Sequence, residues 1–277
     1  MRRFAGRTIV VTGSGRHMGL GQAILQRFAD EGANCVVSDL GVPTEHMGAS
    51  DIGTTIEMDT VTQELRKRGA KVATITCDVR SEESCEALAR KALETFGSLD
   101  VWINNAGIGY IMKPLLETSA SEWEAVIGVN LSGAFYGTKV AARLMIEQGR
   151  GGRIINIASQ AAKSGFPHMA AYTSSKHGMI GLTRSNAIEL GPHGITVNAV
   201  CPNHVTTGLG AKQNAYFSKL LGFDSVEAYL ENMKRKNPMG RPGLGRDTAA
   251  ACAWLASDDA VYVTGEALNV SGGEEMH

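Results

Sequence analysis

The stretch Thr8-Ile9-Val10-Val11-Thr12-Gly13-Ser14-Gly15-Arg16-His17-Met18-Gly19-Leu20-Gly21 decides the fold. An apolar run passes into glycines, and residues 20–32 then carry Ala23, Ile24, Phe28 and Ala29 at helical spacing. Between a strand and a helix, a glycine cluster lets the backbone turn tightly and approach a pyrophosphate. The helix offers free N–H groups and its positive dipole end to the phosphate charge. Outside that context the same glycines would read as an ordinary turn.

Working outward, apolar runs at 8–12, 33–39, 72–77, 99–104, 153–158, 195–201 and 267–270 alternate with helical patterns. The helices are expected over 20–32, 58–68, 82–96, 121–148, 170–190 and 247–256. Continuous apolar strands separated by helices predict a parallel sheet of about seven strands, covered on both faces. This is an α/β, Rossmann-type, doubly wound architecture, expected as a single domain of 277 residues. Two segments break the rhythm. Residues 40–57 contain Gly41, Pro43, Gly48 and Gly53, and read either as a surface insertion or as a functional loop. Residues 206–242 are a long mixed stretch and the candidate substrate lid.

Hydrophobic residues make up 43% and charged residues 20%, with a net charge of −1. These are values for a soluble globular protein with no basic field for nucleic acid. No apolar stretch has the length of a bilayer span, and residues 1–6 are too short for a signal peptide, so a cytoplasmic protein without a membrane partner is expected. The five cysteines, Cys35, Cys77, Cys85, Cys201 and Cys252, form no C-x-x-C pair and read as buried reduced thiols. The seven histidines are scattered and make no metal site. His17 beside a phosphate and His168 at a substrate mouth are weaker readings than plain surface or packed histidines.

Asp39 ends the second strand, eighteen residues beyond Gly21. A carboxylate there accepts hydrogen bonds from both ribose hydroxyls of an adenosine and repels a 2′-phosphate, which favours NAD over NADP. Arg16, a basic residue in the glycine loop, is the feature that would accommodate that phosphate. Tyr172 and Lys176 are four apart in a helical run and share a face. A phenol titrates too high for a base at neutral pH, and a nearby ammonium favours its ionised form. The pair makes a general acid/base for a hydroxyl or ketone, and the Ser159 hydroxyl is available to hold the reacting oxygen.

Together these pieces resemble the classical short-chain dehydrogenase/reductases over essentially the full chain. The resemblance is carried by Thr12-Gly13 with Gly19-Leu20-Gly21, Asp78-Val79, Asn104-Asn105-Ala106-Gly107, Asn130, Ser159, Tyr172-Thr173-Ser174-Ser175-Lys176 and Pro202. It implies an NAD(P)-dependent oxidoreductase that interconverts a secondary alcohol and a ketone through a tetrad. In that tetrad Tyr172 exchanges the hydroxyl proton and Ser159 bonds the substrate oxygen. Lys176 binds the nicotinamide ribose and depresses the tyrosine pKa, and Asn130 holds a water that links the lysine to solvent. It also implies cofactor contacts from Gly13, Gly15, Arg16, Gly19, Leu20 and Gly21 in the loop, and from Asp39 and Leu40 at the ribose. Asp78 and Val79 would border the adenine, with Asn105, Ala106 and Gly107 along the ribose and phosphates. Tyr172 and Lys176 would touch the nicotinamide half, and Pro202, Val205 and Thr207 its carboxamide.

The chain departs from the family pattern twice. Its glycine loop is two residues longer than the usual T-G-x-x-x-G-x-G, with Arg16, His17 and Met18 in the lengthened part, and Asn203 stands where Pro-Gly is usual. Asparagine tolerates positive φ, so the turn is expected to survive, with Asn203 and His204 near the substrate. In this family the segments 108–113, 160–166 and 206–239 set substrate choice. Here they carry Tyr110, Met112, Phe166, Tyr216, Phe217, Leu220, Leu221, Phe223 and Tyr229. A medium-sized hydrophobic or cyclic alcohol or ketone is expected, although the same side chains would also serve simply to pack the lid. The resemblance further implies a homotetramer built on helices 121–148 and 170–190. Competing readings are an NADP-dependent carbonyl or 3-oxoacyl reductase, an epimerase or dehydratase of related fold, and a non-catalytic dinucleotide sensor.

Overall fold

The computed structural model describes residues 2–203, 205 and 208–276. His204, Thr206 and Thr207 lie outside the described residues. The apolar runs become β1 (Thr8–Val11), β2 (Asn34–Asp39), β3 (Val72–Thr76), β4 (Val101–Asn104), β5 (Gly152–Ile157), β6 (Ile195–Pro202) and β7 (Ala267–Val270). They pair in parallel, in the order β3-β2-β1-β4-β5-β6-β7. Their lack of alternation has a simple cause: both faces are covered. On β4, Val101 and Ile103 enter the core with Ile24 and Phe28, whereas Trp102 packs with Leu88 and Met145 on the opposite side.

The helices, in chain order, are α1 (Leu20–Asp30), α2 (Thr55–Lys67), α3 (Glu82–Phe96), α4 (Ala120–Ile127), α5 (Gly133–Gln148), α6 (Ala170–Leu190), α7 (Gly208–Leu220), α8 (Val226–Lys236) and α9 (Gly245–Leu255). Helices α1, α2 and α9 cover one face of the sheet, and α3 to α6 the other. The expected helix over 121–148 is interrupted: a π turn, Gly128–Ser132, separates α4 from α5 and has fully buried Asn130 at its centre. Such single π turns concentrate at functional sites. Helix α2 starts earlier than expected because Thr54 and Glu57 form a reciprocal capping box. The lid stretch is helical, as α7 and α8.

The segment between β2 and α2 is an ordered loop with its ends joined. Gly41 N donates to Gly53 O and Thr55 N to Gly41 O, each at 3.1 Å, and Met47 and Ile52 are buried in the core. Strand order reverses between β1 and β4, which opens a crevice at the carboxyl ends of the strands. A cavity of about 480 Å³ lies there. Among the described residues no helix is long and apolar enough to cross a membrane. All five cysteines are buried and unbridged.

Candidate active site

One cavity collects residues from successive strand ends: Gly13 after β1, Asp39 on β2, Asn105 after β4, Ser159 after β5 and Pro202 on β6. At its β1 end, α1 begins at Gly19 with no side-chain cap and no acidic residue in the first turn. Its leading N–H groups are therefore left for an anion. A Cβ at Gly13 would lie 2.7 Å from Ala106 Cα, so the loops after β1 and β4 touch main chain to main chain. Asn105 Nδ2 ties them by donating to Thr12 O and Gly13 O, both at 2.9 Å. Buried Asp39 accepts from Gly15 N at 3.0 Å, from Leu40 N at 2.9 Å and from the main chain of Gly53. Burial pushes its carboxyl above the usual carboxylate range, and these three donors oppose that shift. An uncapped helix start beside a held carboxylate fits the phosphates and ribose of a dinucleotide.

The 40–54 loop braces this end. Gly53 presses on the glycine loop so closely that a Cβ would fall 2.4 Å from Gly15 C and 2.6 Å from Arg16 N. Met47, Asp51 and Ile52 line the cavity. Lys212 of α7 forms an ion pair with Asp51 and lies 4.8 Å from the centre of the Tyr110 ring, whose hydroxyl donates to His46 O at 2.9 Å. The 40–54 loop and α7 thus meet at the cavity. Gly53→Ala places a methyl against main chain, which no rotamer change relieves, and is expected to cost about 1–3 kcal/mol of stability. A lower melting temperature and weaker NADH binding by fluorescence titration are the expected results. If both stayed at wild-type values, the loop could retreat without moving the glycine turn.

The other end holds the acid/base groups. Tyr172 and Lys176 sit one turn apart on α6, and the Ser159 hydroxyl, just beyond β5, bonds the Tyr172 phenol. Lys176 Nζ donates to Ile157 O at 2.7 Å and lies 5.6 Å from the centre of the Tyr172 ring. Burial pushes the Tyr172 phenol up, and the Ser159 bond pulls it back. Burial pulls the Lys176 ammonium down to about 8. The Asn130 side chain is fully engaged: Oδ1 accepts from Ile108 N at 2.7 Å, and Nδ2 donates to Ile108 O at 2.9 Å and Ser175 Oγ at 3.0 Å. It fastens the loop after β4 to α6.

A sequence model described as Enoyl-(Acyl carrier protein) reductase matches residues 13–275. The 3beta-hydroxysteroid dehydrogenase 1 of Eggerthella lenta is 38% identical over 98% of this chain and 95% of its own length. The chain belongs to the short-chain dehydrogenase/reductase family. Among solved structures, carveol dehydrogenase from Mycobacterium avium, in complex with NAD, matches with a TM-score of 0.91 at 30% identity over 99% of both chains. A variant of actinorhodin polyketide ketoreductase with NADPH matches with a TM-score of 0.87 at 35% identity over 98% of both. As a short-chain dehydrogenase/reductase, this chain is an NAD(P)-dependent oxidoreductase of secondary alcohols and ketones.

For this dehydrogenase/reductase, the cofactor positions read from sequence reach the cavity wall except Gly15, Gly21 and undescribed Thr207. Gly15 sits behind the wall, donating to Asp39, and Gly21 packs under Gly13 O. Asn130 also lies beneath the wall rather than on it. Burial pushes the Asp78 carboxyl up, but Arg80 at 2.7 Å outweighs it and holds the group below the usual range. His17 turns away to Glu64 at 3.2 Å, and His168 Nδ1 pairs with the Tyr216 hydroxyl at 2.7 Å. Among the described residues, positive φ outside glycine is adopted by Met18 and His168, and Asn203 lies on the cavity wall without it. Its amide instead donates to Glu274. Asp51, Gln213, Lys236 and Glu274 also line the cavity and were missed in the sequence, because long-range folding alone brings them there. Among the described residues, no group of three or more His, Cys, Asp or Glu side chains is placed to hold a metal ion.

Proposed function

We propose that this enzyme is an NAD-preferring dehydrogenase of a medium-sized apolar or cyclic secondary alcohol, with Tyr172, Ser159 and Lys176 as its catalytic residues. The observation that carries this reading is the convergence of a phenol, a hydroxyl and an ammonium in the same cavity as Asp39 and the uncapped start of α1. Bound NAD would supply the hydride acceptor. Ser159 donates to the substrate oxygen, and Tyr172 takes the hydroxyl proton during oxidation or returns it during reduction. Lys176, close to Gly107, is placed for the nicotinamide ribose. Asn130 acts as a positioning residue. With both its amide hydrogens committed, a water linking Lys176 to solvent would rest on main-chain carbonyls at the π turn. Phe166, Met169, Phe217 and Leu221 on the wall support an apolar substrate.

NADP use, as a carbonyl reductase, is the second reading, favoured by Arg16 on the cavity wall. Titration with NADH and NADPH, followed by a screen of cyclic and aliphatic alcohols, separates the two. Tighter NADH binding is expected, and a chain that binds neither would not be a dehydrogenase. The exposed Trp123 and Phe135 on α4 and α5 support assembly as a homotetramer, and a cytoplasmic location is expected.

The raised phenol has a pH consequence. The upward shift of the Tyr172 phenol favours its protonated form, the form that ketone reduction needs. Alcohol oxidation needs the phenolate, so its kcat/KM is expected to rise about tenfold per pH unit below the phenol pKa. Reduction should fall as pH rises through that value. An oxidation rate flat from neutral to alkaline pH would remove Tyr172 from the role of base.

A further inference from the structure

The chain does not leave the surface after β7. Residues 271–276 fold back between the end of α8 and the segment after Ser159. Asn237 Nδ2 donates to Ser271 O at 2.8 Å, and a Cβ on Gly272 would fall 2.5 Å from Asn237 Oδ1, so the tail passes where only glycine fits. On the other side, Glu275 Oε1 accepts from Gln160 Nε2 at 2.9 Å and from Ser164 Oγ at 2.5 Å. Held on both sides, the tail puts Glu274 on the cavity wall.

The Glu274 carboxylate has an uneven environment. Oε2 accepts from Asn203 Nδ2, next to Pro202, and from Asn237 Nδ2 at 3.5 Å. Among the described residues no donor reaches Oε1, and no basic side chain pairs with the group. Its neighbours on the wall include Met233 and Tyr229, whose phenol is pushed up first by burial and then by the Glu274 charge. A half-buried carboxylate on the cavity wall, with one oxygen that no described residue donates to, is open to a substrate group that donates to it.

We propose that Glu274 is a specificity residue that accepts a hydrogen bond from a second hydroxyl of the substrate, remote from the carbon being oxidised. The proposal rests on the dehydrogenase reading above. The donor is a neutral hydroxyl rather than an ammonium, because Lys236 lines the same cavity and opposes a cation. The family-atypical Asn203 then acquires a purpose: it orients the carboxylate that reads the far end of the substrate.

The test compares kcat and KM for matched alcohols with the oxidised cofactor. One set is cyclohexanol, 1,4-cyclohexanediol and 4-aminocyclohexanol, and the other is decahydronaphthol with its remote diol. The wild type is expected to favour at least one diol over its mono-alcohol by about tenfold or more in kcat/KM, mainly through KM. The ratio should fall to about one in Glu274→Leu, with Glu274→Gln between, because its neutral carbonyl remains a weaker acceptor. Melting temperature and NADH affinity check that both variants stay folded. A wild-type ratio near one in both sets, or a ratio that survives in Glu274→Leu, overturns the proposal. A preference for the amino alcohol overturns the assignment of a neutral hydroxyl. A wild type that oxidises none of these alcohols with NAD or NADP overturns the dehydrogenase reading itself, which is a distinguishable result.

Discussion

Tyr172→Phe is expected to lower kcat/KM for alcohol oxidation on the order of 10³-fold, the upper range for loss of a general acid/base. The substitution removes one oxygen and keeps the ring, which packs against Gly109 and among Met169 and Phe217. The cavity should therefore hold its shape, and NADH should still bind. Ser159 loses the phenol as a partner but still accepts from Ala161 N at 3.1 Å, which keeps its rotamer defined. A loss confined to kcat and kcat/KM would be that of an interaction made in the transition state. A loss seen only in KM would reduce the phenol to a binding group, and a decrease smaller than about tenfold would assign the proton to another residue. Ser159→Ala is the companion variant: it leaves the base in place but removes the donor to the substrate oxygen and raises the phenol further.

The parallel sheet was legible because its strands are continuous apolar runs and its helices recur between them. The dinucleotide end was legible for the same local reason, a glycine cluster between strand and helix with an acid at the next strand end. What escaped reading has a different physical origin. The start of α2 carried a local signal, Thr54-x-x-Glu57, that periodicity did not weigh. The π turn at Asn130 has no compositional mark: it exists because a buried amide pairs with both main-chain groups of Ile108, a residue distant in sequence. Lys212 with Asp51 and Glu274 with Asn203 are likewise pairs made by the fold. Each pairing joins residues far apart in sequence and leaves no local mark, even where one member, Asn203, departs from the family pattern.

Cofactor choice carries the other large expected effect. In Asp39→Asn, the relative affinity for NADPH over NADH is expected to rise on the order of 10³-fold or more. The size follows from the charge. A carboxylate and a phosphate about 5 Å apart repel by roughly 3 kcal/mol at an effective dielectric constant near 20, and a charged hydrogen bond to a ribose hydroxyl adds about 1.5–3 kcal/mol in favour of NAD. Arg16 stays on the cavity wall and meets the phosphate unopposed. Asparagine keeps one oxygen for the donors from Gly15, Leu40 and Gly53 but replaces the other with an amide. One buried N–H then lacks its acceptor, and a stability loss of about 1–3 kcal/mol should accompany the switch. The pH dependence separates charge from shape. Because burial raises the Asp39 carboxyl above the usual range, the NADH preference should weaken as acid protonates that group, and at a higher pH than an exposed carboxylate would give. The 2′-phosphate also sheds charge below about pH 6, so the diagnostic quantity is the difference between wild type and variant. If Asp39 sets the choice, the two ratios diverge at neutral pH and converge in acid; a constant offset would place the selection in the shape of the 40–54 loop.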